Sequence, residues 1–256
     1  MKKIIIANWK MNPKTLKEAK RLFKDTQKFA GEHKNAEIIV CPPFVYLPEI
    51  FGGKKFGNLR LGAQDCFWQN EGAYTGEISP AMLKNLKVNY VIIGHSERRV
   101  NLGETDEMIN KKIRMALKEK FKVIFCVGER KRDEAGDYFN FLKKEIETGL
   151  SQTPSDLLNG LLIAYEPIWA ISSGKNAKAD TPDDLFKTVI FIRKVFAGMF
   201  GKSSAFSVPI LYGGSVNQQN AKRFLEIEGI RGLLVGGASL SSKKFADIIS
   251  AVAAGT

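Results

Sequence analysis

Residues 90–127 read YVIIGHSERRVNLGETDEMINKKIRMALKEKFKVIFCV. Tyr90-Val91-Ile92-Ile93 is a short β-rich run without polar alternation, the pattern of a strand covered on both faces. A stretch of amphipathic helical period follows from Glu104 to Glu119, and then a second apolar run from Lys122 to Val127. A covered strand, a helix and another covered strand make a unit of a parallel sheet. The same alternation extends in both directions. Upstream stand Ile4-Ile5-Ile6-Ala7 with a helical stretch from Thr15 to Ala30, Glu37 to Cys41 with a helix after Pro42-Pro43, and Leu59 to Gln64 with a helix over Pro80 to Lys87. Downstream, the Lys122 run leads into a long helix reaching towards Leu150, and Leu161 to Tyr165 leads into Pro182 to Met199. Thr181 is placed as N-cap of that last helix, with Pro182 at its first position. Val208 to Tyr212 and Gly232 to Val235 complete the set, each with a helical segment after it.

Eight strand-like runs alternating with helices over 256 residues predict an α/β chain folded as a single (β/α)8 barrel, one domain over residues 1–256. An average of ~150 residues per domain would suggest two, but barrels routinely take ~250 residues as one. No Gly-x-Gly-x-x-Gly follows the first run, which disfavours a dinucleotide-binding doubly wound sheet. In a barrel the chemistry belongs at the C-terminal ends of the strands.

Composition narrows the function. Apolar residues make up 44% of the chain, too many for a disordered one. No stretch reaches the ~18 apolar residues of a membrane span. The opening Met1-Lys2-Lys3 and Ile4 to Ala7 fall short of a secretory leader of roughly 7–15 apolar residues, so no export is expected. Thirty-nine Lys and Arg against 27 Asp and Glu leave +12, a surface that attracts anions. The densest basic run, Arg130-Lys131-Arg132, is flanked by Glu129, Asp133 and Glu134 and reads as a solvated helix surface, with no aromatic interleaving for nucleic acid. Cys41, Cys66 and Cys126, at wide spacing beside only two histidines, give neither a disulfide framework nor a zinc site. A reduced, cytoplasmic protein without metal or dinucleotide is the expectation.

The strand ends carry the chemistry. The first ends in Asn8-Trp9-Lys10, where a lysine offers a cation at the barrel mouth. The fourth ends in Gly94-His95-Ser96-Glu97-Arg98-Arg99. His95 there starts a short helix, and a helix N-terminus disfavours the imidazolium. A capping histidine is the plainer alternative; His33, in a polar link, is read as solvated. The sixth ends in Tyr165-Glu166-Pro167-Ile168-Trp169, where desolvation would raise a carboxyl pKa and make a better base near neutrality. A glutamate paired with a lysine is the alternative. The segment Ala170 to Lys175 that follows has the small-residue composition of a lid or of an ordinary connection. The seventh and eighth end in Tyr212-Gly213-Gly214-Ser215-Val216 and Val235-Gly236-Gly237-Ala238, where paired glycines let backbone N–H groups approach an anion. Barrels place a phosphate site at these two strand ends. A carboxylate base with a histidine and a lysine beside bound phosphate suits proton abstraction next to a carbonyl.

In this order, the segments NWKMN, GAYTGEIS, IIGHSERR, YEPIWAI, YGGSV and LVGGASL resemble the triosephosphate isomerase family, from Lys3 to about Leu240. That family is itself the worked case of a glutamate base beside a neutral histidine. The resemblance implies the TIM-barrel fold and interconversion of dihydroxyacetone phosphate and D-glyceraldehyde 3-phosphate in glycolysis and gluconeogenesis, without a cofactor. It makes Glu166 the base acting through an enediolate, His95 the group that polarises the carbonyl and shuttles protons between the oxygens, and Lys10 with Asn8 the substrate-binding charge and hydrogen bond. Glu97 and Cys126 belong to its supporting pattern, and backbone N–H groups of Ser172, Ser215, Gly236 and Gly237 hold the phosphate. It further implies a homodimer, with Thr75 near the partner subunit's Asn8 and Lys10, and Glu77 near the partner subunit's Arg98. Two departures stand out: Pro13 where glycine commonly follows NWKMN, and Ser172 to Ala177 reading SSGKNA where GTGKTA is commoner. Serine at 172 is expected to leave the closed state unstrained. A catalytically silent sugar-phosphate-binding barrel is the competing reading; a poised base argues against it.

Overall fold

The computed structural model describes residues 2–51, 57–133, 136–170 and 180–253. Each apolar run becomes a strand because its successive side chains face two different cores. Ile5 and Ala7 of the first strand join the shell under the helices, whereas Ile6 between them joins the smaller cluster on the barrel axis with Ile39, Ile92, Ile124, Leu162 and Leu234. Covered on both faces, such strands have no need of polar alternation.

Strands β1 (Lys3–Asn8), β2 (Ala36–Cys41), β3 (Leu59–Ala63), β4 (Tyr90–Ile93), β5 (Lys122–Val127), β6 (Leu161–Tyr165), β7 (Ile210–Tyr212) and β8 (Ile230–Val235) pair in chain order into a closed barrel. Every pairing is parallel, and β8 returns to β1 with Ile6 opposite Leu234 and Ala7 opposite Val235. Around it lie helices α1 (Leu16–Glu32), α2 (Leu47–Phe51), α3 (Pro80–Asn85), α4 (Ser96–Leu102), α5 (Asp106–Lys118), α6 (Asp137–Gly149), α7 (Pro182–Ser207), α8 (Ala221–Leu225) and α9 (Ser242–Ala253). Among the described residues no helix is long and apolar enough to cross a membrane.

Several boundaries differ from the sequence expectation, each for a local reason. Thr15 and Thr105 stand just outside α1 and α5 and cap them, accepting from Glu18 N–H and Met108 N–H. Thr181 caps α7 as expected. β7 begins at Ile210, because Pro209 before it has no N–H to give a ladder. α7 continues past Met199 to Ser207 through Gly201, whose backbone (φ 83°, ψ 161°) breaks the helix into two legs.

The Arg130-Lys131-Arg132 run corrects its expected role as a solvated helix surface. It lies in the connection after β5, outside any helix. The Arg132 guanidinium is held near Glu129, Asp180 and Asp184 at 3.6, 3.6 and 3.4 Å and over the ring of Trp169.

Candidate active site

β4 and β6 bring their ends together. Glu166 continues β6 and its N–H donates to Val127 O at 2.8 Å, which fixes its backbone against β5. The side chain is buried, with Oε2 accepting from Ser96 N–H at 3.2 Å and Oε1 3.1 Å from His95 Nε2. His95 caps α4: its Nδ1 accepts from Glu97 N–H at 3.2 Å. An imidazole nitrogen that accepts carries no proton, so this contact assigns the hydrogen to Nε2, facing Glu166.

The electrostatics refine the expectation for both groups. Burial pushes the Glu166 carboxyl up, as expected, but His95, Ser96 N–H and Lys10 outweigh it and hold the group below its ordinary value. Burial pushes His95 down while Glu166, and then Glu97, pull it up; the net is upward, and Glu166 is the cause. The helix N-terminus alone therefore does not decide the state of the ring. A second proton would have to displace Glu97 N–H from Nδ1. With Glu166 moved away, burial, Lys10 and that N–H all favour the neutral ring.

Lys10 stands at the end of β1 in the left-handed backbone region, with φ 54°. Lysine holds that conformation only where neighbours enforce it. The Asn8 side chain accepts from Lys10 N–H at 3.0 Å, and Gln64 Nε2 donates to Lys10 O at 2.9 Å and Cys41 O at 2.8 Å. The side chain then points across the mouth, Nζ 2.6 Å from Glu97 Oε1. Asn8, Lys10, His95, Glu166, Gly236 and Gly237 line one small cavity of about 20 Å³.

The glycines serve close approach. A Cβ at Gly236 would stand 3.2 Å from Lys10 Cε, and one at Gly213 would stand 2.9 Å from Glu166 Cγ. A Cβ at Gly214 would strike the Tyr212 hydroxyl, and one at Gly128 the Glu166 carbonyl. Ser215 is placed beside this wall, its carbonyl accepting from Asn220 Nδ2 at 2.8 Å. Ser172 lies outside the described residues. Gly213→Ala is expected to lower kcat about 10- to 100-fold by shifting the Glu166 side chain, with an unchanged far-UV circular dichroism spectrum. Unaltered kcat would mean the carboxylate does not depend on this wall.

Cys126, on β5, is buried beside Glu166; burial and then the carboxylate push its thiol well above the ordinary range, against thiolate reactivity. Glu97 is half-exposed; its backbone N–H donates to His95 Nδ1 and its carboxylate pairs with the Lys10 ammonium. The sequence reading missed Gln64, Gly128 and the Glu129 carboxylate, which accepts from Tyr165 Oη at 2.8 Å and Trp169 Nε1 at 2.9 Å. Gly128 and Glu129 sit at the end of β5, where the strand-end rule points, but a glycine and a carboxylate there have no distinctive spacing. Among the described residues no three His, Cys, Asp or Glu side chains converge as a metal cage.

Comparison with known proteins agrees with the geometry. The family model for triosephosphate isomerase matches residues 3–252. A triosephosphate isomerase of Dictyoglomus turgidum is 43% identical over 249 residues, covering 97% of this chain and 98% of its own. Those of Caldanaerobacter subterraneus and Clostridium botulinum are 45% and 44% identical over 248 residues, each covering 96% of this chain and 98% of the relative. A match over nearly the full chain, on a closed parallel barrel with a carboxylate, an imidazole and an ammonium at its mouth, means that the chain belongs to the triosephosphate isomerase family.

Proposed function

We propose that this chain is an isomerase that interconverts dihydroxyacetone phosphate and D-glyceraldehyde 3-phosphate through an enediolate. The observation that carries the reading is the buried Glu166 carboxylate 3.1 Å from His95 Nε2, with Lys10 on the same cavity. A substrate carbonyl oxygen reaches the Nε2–H only by taking the place of Glu166 Oε1. That exchange removes the contact that lowers the Glu166 pKa most and leaves burial, which raises it. The carboxylate thus becomes a stronger base as the substrate's acidic C–H arrives. Glu166 takes that proton from one carbon and returns it to the neighbouring carbon. His95 gives its Nε2 proton to the oxygen on which charge develops and takes one back from the neighbouring hydroxyl, so that the two oxygens exchange roles, and Lys10 with Asn8 supplies a cation and a hydrogen bond there. The proton moves within one substrate, so the reaction needs no electron acceptor and no cofactor. The phosphate rests on backbone N–H groups of Ser172, Ser215, Gly236 and Gly237. Glu97 and Cys126 support the site without reacting.

A barrel that only bound sugar phosphates would have no use for a carboxylate aimed at a histidine proton. A coupled assay for glyceraldehyde 3-phosphate formation tests the reading: rapid turnover is the expected result, and binding of the triose phosphate without turnover would replace it with the silent barrel.

The same reading makes the protein a homodimer. Residues 69–77, after β3, are exposed on the site's side of the barrel, and Met11 beside Lys10 is 92% exposed. Thr75 would meet the partner subunit's Asn8 and Lys10, and Glu77 would lie near the partner subunit's Arg98. Sedimentation at micromolar concentration is expected to show about twice the 28.5 kDa chain mass; a fully active monomer would overturn it. Three buried, free cysteines suit the reducing cytoplasm.

A further inference from the structure

The two legs of α7 enclose a second cavity at the opposite end of the barrel from Glu166. Gly201 turns the chain so that residues 202–207 fold back beside the first leg, and the Arg193 guanidinium ties the legs together. It donates to Ala205 O, to Val208 O at 2.5 Å and, through Nη2, to Gly229 O at 3.4 Å. Between the legs and the entry to β7 and β8 lies an open cavity of about 640 Å³. Its apolar wall includes Val189, Ala197 and Val208, and Phe186, Ile190 and Phe206 stand 40%, 53% and 76% exposed on it. Lys194, Lys202 and Arg231 also line it, against one carboxylate, Glu228. The neighbouring acids are spent elsewhere, Asp184 on Arg132 and Lys187 and Glu226 on Lys222. Among the described residues, none pairs with the three lining cations.

Apolar walls with a few charged groups, in a volume between ~300 and 1,000 Å³, are the features of a small-molecule site. The unneutralised cations select an anion, and the wall selects an apolar body attached to it. A second copy of this chain fits poorly, since it would bring the same cations face to face. A bare phosphate would leave the apolar wall unused. We propose that this cavity binds a single-chain fatty carboxylate, the tail along Phe186, Ile190 and Phe206 and the head among Lys194, Lys202 and Arg231.

Calorimetric titration of the full chain with decanoate and with decanol, both below their aggregation limits, tests this. Decanoate is expected to bind saturably at one site per chain, at least tenfold tighter than decanol. Ile190→Asp is expected to weaken decanoate at least tenfold. The pair Lys202→Gln and Arg231→Gln, which spares the apolar wall, is expected to bring decanoate down to the affinity of decanol. Turnover should be unchanged in both variants, because neither touches the barrel mouth, so binding and activity report separately. Unsaturable uptake, equal affinity for the two ligands, or decanoate binding that survives Ile190→Asp would each overturn the proposal. So would self-association that Ile190→Asp abolishes, which would put a second copy on this face.

Discussion

Glu166→Gln is expected to lower kcat at least ~10²-fold, the lower end for loss of a general base, while the affinity for glycerol phosphate stays within a few-fold. The amide is the same size as the carboxylate and its oxygen still accepts from Ser96 N–H or His95 Nε2–H, so the wall it forms is kept. What it loses is the capacity to take a proton from carbon. On the proposed reading the phosphate rests on backbone N–H groups at the ends of β7 and β8, which line the same cavity as Glu166 but are not its side chain. Steady-state kinetics with the coupled assay, alongside equilibrium binding of the unreactive phosphate ester, separates the two effects. Near-full turnover would place the base elsewhere, and loss of binding together with turnover would mean that Glu166 positions the substrate.

The largest stability effect is expected at Lys112, on α5. Its ammonium lies 2.7 Å from Asp65 Oδ2 and against Glu104 Oε1, all three side chains buried. Arg98 serves the same two carboxylates at 2.9 and 2.7 Å. Lys112→Met fills the same space but leaves two buried carboxylates to one guanidinium, and breaking a buried pair in this way costs about 3–5 kcal/mol. The pH dependence gives the cause. Burial already pushes the Asp65 carboxyl up to about 6, against the pull of Lys112, so the folded state holds its proton more tightly than the unfolded chain. Without Lys112 that value climbs further, and the variant regains stability as pH falls through it. Chemical denaturation at pH 8 and pH 5 should therefore show a deficit that narrows at the lower pH. A deficit below ~1 kcal/mol at pH 8, the range of exposed ion pairs, would mean that the cluster is solvated.

Lys112 also marks where reading the chain ran out. In the helical period of residues 104–119 a lysine is an ordinary solvent-facing residue; only the arrival of Asp65, 47 positions earlier, makes it a buried one. Arg132 was misread for the same reason, since its partners Asp180 and Asp184 lie beyond β6. The strands were legible because burial on both faces leaves an unbroken apolar run, and their ends located Lys10, His95 and Glu166 at once. The state of those groups was not legible. Desolvation of Glu166 follows from its neighbours in sequence, but the ring and the N–H that reverse its effect come from the start of α4, after β4. The positive φ of Lys10 has no local signal, because glycine would be the residue expected there; Asn8 and Gln64 hold it in place from two strands.

Closure of the barrel has a consequence for the order in which the protein becomes itself on the ribosome. Asn8 and Lys10 emerge long before Gly236 and Gly237, yet they line one cavity. They meet only when β8 seats between β7 and β1. Until then the nascent chain carries two open sheet edges, each able to pair with a foreign strand, and the contact that removes them joins Ile4 to Gly232, far apart along the chain. A chain that stalls before Ile230 therefore has Glu166, His95 and Lys10, but not the Gly236 and Gly237 wall that completes their cavity. Catalytic competence and protection from edge-to-edge aggregation arrive together, with the same six residues of β8.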